Sequence, residues 1–123
     1  MMFQYQYLRA VVTNDKKGIF MESLLAEILQ KIKPQLEREG FHIIGIFGSY
    51  ARGEETEKSD IDILYRLEPQ KFLMLYPGLQ SFGRLTEIQK FLESTLHKRV
   101  DIADIDGLRA TGKKYILKDL CYV

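Results

Sequence analysis

The sequence holds a single cysteine, Cys121, so no disulfide can form within the chain, and a lone thiol suits a reducing compartment. It has no excess of charge of either sign. Eighteen Lys and Arg stand against 17 Asp and Glu, for a formal net charge of +1, which argues against a dominant role on nucleic acid or a membrane surface. No apolar run approaches the length of a membrane-spanning helix. The N-terminus MMFQYQYLRAVV carries glutamines inside its apolar part and no cleavage pattern, so it is not expected to be a secretory signal. There is no internal repeat and no low-complexity tract. Proline is sparse, at Pro34, Pro69 and Pro77 only. These absences leave a cytoplasmic protein of 123 residues, with room for one compact domain.

What is present is a mixture of two periodicities. Leu24, Leu25, Ile28, Leu29, Ile32 and Leu36 fall on one helical face from Met21 onward. Pro34 lacks a donor and predicts a kink or a split there, and Gly40 is expected to end the helix. FHIIGIF (41–47) is short, apolar and rich in β-branched residues, as a central strand buried on both faces would be. IDILY (61–65) and VDIADI (100–105) predict two more strands. Leu85, Ile88, Phe91, Leu92 and Leu96 mark a second amphipathic helix, with Ser81 as its expected cap. Residues 67–80 stay undecided, and KKYILKDLCYV is expected to be a short helix. In the first 20 residues, FQYQYL alternates like a strand and TNDKKG suits a loop. The chain is therefore divided into an extension of uncertain role, 1–20, and a domain, 21–123. The fold class is α/β (α+β), a small mixed sheet flanked by helices.

The chemistry concentrates in GSYARGEETEKSDID, residues 48–62. Side chains two apart on a strand share a face, so Asp60 and Asp62 would point the same way with Cα atoms about 7 Å apart. Two carboxylates that close repel unless a cation lies between them, and hard oxygen ligands suit Mg2+. A lone Asp-x-Asp is most often an exposed acidic edge, and a lone Gly-Ser is most often a turn. Here the Gly-Ser directly follows a buried strand. Glycine lets backbone approach a ligand closely, and the amides of such a turn can face a phosphate.

Gly48-Ser49, ten residues, then Asp60-Ile61-Asp62 resembles the G-S-x10-D-x-D signature of the polymerase-β-like nucleotidyltransferases. The fuller wording, GSYARGE followed by SDIDIL, is similar to the minimal nucleotidyltransferase branch, whose members are usually encoded beside a HEPN-domain partner. The resemblance covers 21–123 and implies the polymerase-β-like palm fold. It implies a third carboxylate on a later strand. Asp101, after Val100, matches that pattern. Asp104 is three residues on and faces the other way, and Asp106 before Gly107 suits a turn. By the resemblance, Asp60, Asp62 and Asp101 hold two Mg2+ ions and carry catalysis, while Gly48, Ser49 and Arg52 bind the nucleotide, with ATP as substrate. Arg52 has a competing use in pairing with Glu54 or Glu55. Glu54, Glu55 and Glu57 are expected in a solvated loop. Tyr50 is taken as a packing residue, with base stacking as its other use.

The activity implied is transfer of AMP from ATP to a tyrosine of a HEPN ribonuclease toxin, which silences it. Larger relatives carry an added domain for their acceptor, and little chain follows the third strand here, which suits an acceptor bringing its own surface. Two other readings stand beside this one. The chain could neutralise its HEPN partner by binding alone. It could instead modify a small molecule in a pocket completed by a homodimer partner.

Overall fold

The computed structural model describes residues 17–123, with side chains from residue 23 onward. The strand expected over FQYQYL lies outside the described residues. Helix α1 is Lys17–Glu37 and starts four residues ahead of the expected Met21. It is not split at Pro34, which lies within it. Leu25, Ile28, Leu29 and Leu36 are buried along its one apolar face, with Leu24 and Ile32 packed beside them. The face repeats at helical spacing and drives α1 onto the sheet.

Strands β1 (Phe41–Phe47), β2 (Ile61–Leu67), β3 (Val100–Asp104) and β4 (Cys121–Tyr122) form one sheet in the order β3-β2-β1-β4. β1 runs antiparallel to β2 and to β4, while β2 and β3 are parallel. The sheet is therefore mixed, as expected. The connection from β2 to β3 is helical, through α3 (Pro69–Leu75) and α4 (Gln80–Leu96), as a parallel crossover requires. Between β1 and β2 lies one turn of helix, α2 (Ser49–Arg52). After β3 come a 3-10 turn (Ile105–Gly107) and α5 (Ala110–Lys118).

The core lies between one sheet face and helices α1 and α4. Phe41, Ile43, Ile46, Ile61, Ile63 and Val100 meet Ile88, Leu92 and Leu96 there. The Phe41 and Tyr65 rings stack with centroids 4.5 Å apart. Leu64, on the other face of β2, is also fully buried, so this strand is covered on both sides. β1 is less enclosed than expected. His42 and Ile44 are only half-buried, and the His42 ring spans Glu37 and Glu68 with its two nitrogens.

Other parts of the chain also differ from the sequence reading. Residues 67–80, undecided from sequence, contain α3, with Pro69 in its first turn where no donor is needed. The α4 cap position belongs to Leu79, and the Ser81 hydroxyl donates to the Gly78 carbonyl at 2.9 Å from within the first turn. The tail is not helical to its end: α5 stops at Lys118 and β4 adds to the free edge of β1. The β1–β2 register shifts between Ile43 and Gly45, and a Cβ on Gly45 would lie 2.2 Å from the Cys121 carbonyl oxygen. The bulge and the missing side chain together let the tail backbone dock.

Candidate active site

Asp62 is the second residue of β2, and the strand fixes its neighbours on both sides. Its register partner on β1 is Phe47 and its partner on β3 is Asp101. The parallel ladder thus sets Asp62 and Asp101 directly side by side on the same face. Asp104, the competing carboxylate, is in register with Tyr65 on the opposite face. There it adds its charge to burial in pushing the Tyr65 phenol up to about 12, and it accepts a hydrogen bond from the Asp106 amide at 2.9 Å. Asp106 pairs with Arg66 at 3.3 Å. Both therefore stand apart from the site, in the roles of turn cap and surface pair.

Asp60 precedes the ladder, which begins when the Ile61 amide donates to the Arg99 carbonyl at 2.9 Å. Its charge still reaches Asp62. The Asp62 carboxyl is held above the ordinary carboxylate value first by burial, then by the charge of Asp101 and then by that of Asp60, with Arg52 opposing. Three carboxylates thus share one end of the sheet, and burial together with its two acidic neighbours disfavours the ionised form of Asp62.

Gly48 closes the site from the β1 side. Its backbone, at φ 77 and ψ -151, lies in a region that essentially only glycine occupies. A Cβ there would sit 2.2 Å from Asp62 Oδ2, so the glycine backbone rests against the carboxylate itself. Ser49 begins α2, and its half-buried hydroxyl makes no hydrogen bond to any described residue. The opening N–H groups of that turn have no partner within it. Tyr50 is buried in the core cluster, which removes it from base stacking. Burial, followed by Glu55 and Asp60, pushes its phenol up to about 12.

Arg52 is exposed and bound to Glu54 at 2.8 Å, as the competing use anticipated, and also to Asp119 at 3.4 Å. Its charge nevertheless registers at Asp62. Glu55 departs from the solvated-loop expectation, because its Oε1 is shut from water without a hydrogen-bond partner. The residue that sequence reasoning missed is Arg99, whose Nε lies 3.0 Å from Asp60 Oδ1. In the sequence Arg99 is one of two adjacent cations after a helix, and no local signal marks the pairing.

The donor set fits a hard divalent cation. All three groups are carboxylates, and Asp60 Oδ1 is buried with no hydrogen bond satisfying it. Among the described residues no three His, Cys, Asp or Glu side chains form a ready-made metal cage. An open carboxylate set of this kind suits Mg2+, which keeps waters and shares itself with substrate phosphates.

The chain resembles known proteins in sequence and in fold. Residues 30–120 match the family described as "Polymerase beta, Nucleotidyltransferase". A Thermococcus cleftensis protein named "Protein adenylyltransferase MntA" is 36% identical over 103 residues, covering 84% of this chain and 92% of that one. A Methanocaldococcus jannaschii protein named "Putative protein adenylyltransferase MJ1379" is 39% identical over 103 residues, covering 82% of this chain and 96% of its own. Among solved structures, one described as "Structure of putative minimal nucleotidyltransferase" superposes with a TM-score of 0.59 at 27% identity, over 86% of this chain and 95% of that one. The chain belongs to the polymerase beta nucleotidyltransferase family, and it is an enzyme of nucleotidyl transfer.

Proposed function

We propose that this nucleotidyltransferase is a Mg2+-dependent protein adenylyltransferase that moves AMP from ATP to a tyrosine hydroxyl of a HEPN-domain ribonuclease encoded nearby. It would act in the cytoplasm as the antitoxin of that pair. The observation that carries the reading is the register pairing of Asp62 with Asp101, with Gly48 pressed against Asp62. The names of the two relatives supply the protein acceptor, and the resemblance in GSYARGE and SDIDIL supplies the HEPN partner.

Each residue then has a task. Asp60, Asp62 and Asp101 would hold the metal. Bound Mg2+ supplies charge neutralisation at the phosphates and lowers the cost of the attacking and leaving oxygens. The Ser49 hydroxyl and the turn amides donate to the β and γ phosphates, with Arg52 at the rim. Asp101 is exposed, so it meets the acceptor side and takes the hydroxyl proton. The acceptor oxygen bonds to the α phosphorus as the bond to the β-phosphate oxygen breaks, and pyrophosphate leaves.

Pyrophosphate release tests this directly. The chain, ATP, Mg2+ and the HEPN protein should release pyrophosphate, and omission of the HEPN protein should reduce the release to background. Equal release with or without that protein would point away from a protein acceptor. A stable complex without release would favour neutralisation by binding.

A further inference from the structure

Arg99 has no assigned task, yet its guanidinium stands at the acidic site. It lies between α4 and β3, its side chain is 76% exposed, and its Nε approaches Asp60 Oδ1 to 3.0 Å. The contact is an ion pair without hydrogen-bond geometry, for that oxygen stays buried and unsatisfied. None of the five guanidinium donors makes a hydrogen bond to a described residue. A structural arginine is normally held by its fork, as Arg84 is by Glu39 at 2.7 and 2.6 Å. Arg99 is instead placed by charge alone, with its donors unspent.

The surroundings say what the charge does. Asp62 and Asp101 are register partners at one end of the sheet with Asp60 beside them, and like charges so close repel one another unless a cation offsets them. Arg52, the other arginine at the site, is already engaged by Glu54 and Asp119. Arg99 is therefore the cation closest to Asp60 in the described structure, and a planar fork of this kind matches a phosphate bidentately.

We propose that Arg99 serves the site in two exchanged states. Without metal it is the counter-charge of Asp60; with metal and nucleotide bound, Asp60 turns to the metal and Arg99 binds a phosphate oxygen of the triphosphate. This rests on the nucleotidyl-transfer reading above, but it requires no acceptor protein.

Two binding measurements on the whole chain test it, using Arg99→Gln and Arg99→Lys. Mn2+ binding without nucleotide, followed by electron paramagnetic resonance, should tighten in Arg99→Gln because a competing cation is gone. Affinity for a non-hydrolysable ATP analogue with Mg2+, followed by calorimetry, should weaken roughly ten- to a hundredfold in Arg99→Gln, the range of one charge-assisted hydrogen bond. Arg99→Lys should fall between Arg99→Gln and the unaltered chain. An unchanged melting temperature confirms that the variants fold. Nucleotide affinity unchanged in Arg99→Gln overturns the proposal, whatever Mn2+ does, and so does weaker nucleotide binding with no change for Mn2+. If the unaltered chain binds no Mg2+ and nucleotide, the nucleotidyl-transfer reading itself fails, and the two failures are thereby told apart.

Discussion

Gly48→Ala is the sharpest structural perturbation of the site. Two costs combine. The first is conformational: φ 77 with ψ -151 is a region for which a residue with a Cβ loses about 1–3 kcal/mol. The second is steric, since the new methyl would sit 2.2 Å from Asp62 Oδ2, so either the carboxylate or the turn must move. Gly78→Ala separates the two. Gly78 also has positive φ, 60, but a Cβ there meets nothing within 4 Å. It should lose about 1 kcal/mol and keep its activity. Gly48→Ala should lose about 2–4 kcal/mol, or roughly 8–16 °C in melting temperature for a domain of this size. Its transfer rate should fall more than about a hundredfold, because a misplacement near 1 Å costs that much in positioning. Thermal unfolding followed by circular dichroism, paired with pyrophosphate release, reads both. Gly48→Ala as stable and active as Gly78→Ala would refute the claim that the turn rests on the carboxylate.

Other outcomes follow from the same geometry. Asp62 has its folded value raised above the ordinary carboxylate value of 3.8, so its favourable contribution is complete below that pH and is lost as pH rises through the raised value. In chelator at pH 7, Asp62→Asn should therefore melt higher than the unaltered chain, with the gap closing in acid; a lower melting temperature would contradict a charge disfavoured by burial and by Asp101 and Asp60. Asp101→Ala should abolish transfer, whereas Asp104→Ala should keep it and lose only about 0.5–1.5 kcal/mol with its turn hydrogen bond. Equal loss in both variants would show that the register has been misassigned. Gly83→Ala, inside α4 with open space around it, should gain about 0.5–1 kcal/mol in denaturant unfolding.

Features encoded locally were legible in the sequence, and features set by distant contacts were not. β1 and β2 showed as apolar runs, and the Gly-Ser to Asp-x-Asp spacing carried the site because turn and strand are consecutive in the chain. Asp101 could be picked over Asp104 because strand alternation separates residues three apart. α3 stayed hidden because Pro69 and Pro77 looked like breaks, whereas one begins the helix and the other follows it. β4 has two residues and no pattern of its own; it exists because the Gly45 bulge accepts it. The partner of Arg99 is 39 positions away in sequence, and it is reached because His97, at φ 55, turns the chain out of α4 beside β2. Glu55 was assigned to solvent because charged loops usually are solvated, but its Oε1 is shut from water and its charge is felt by the buried Tyr50.

The central claim is that these carboxylates transfer AMP to a HEPN protein, and the intact mass of that protein tests it most directly. After incubation with the chain, ATP and Mg2+, it should gain one or more AMP units, and none with the Asp60→Ala, Asp62→Ala double variant. An unmodified HEPN protein, or equal modification by the double variant, would contradict the account.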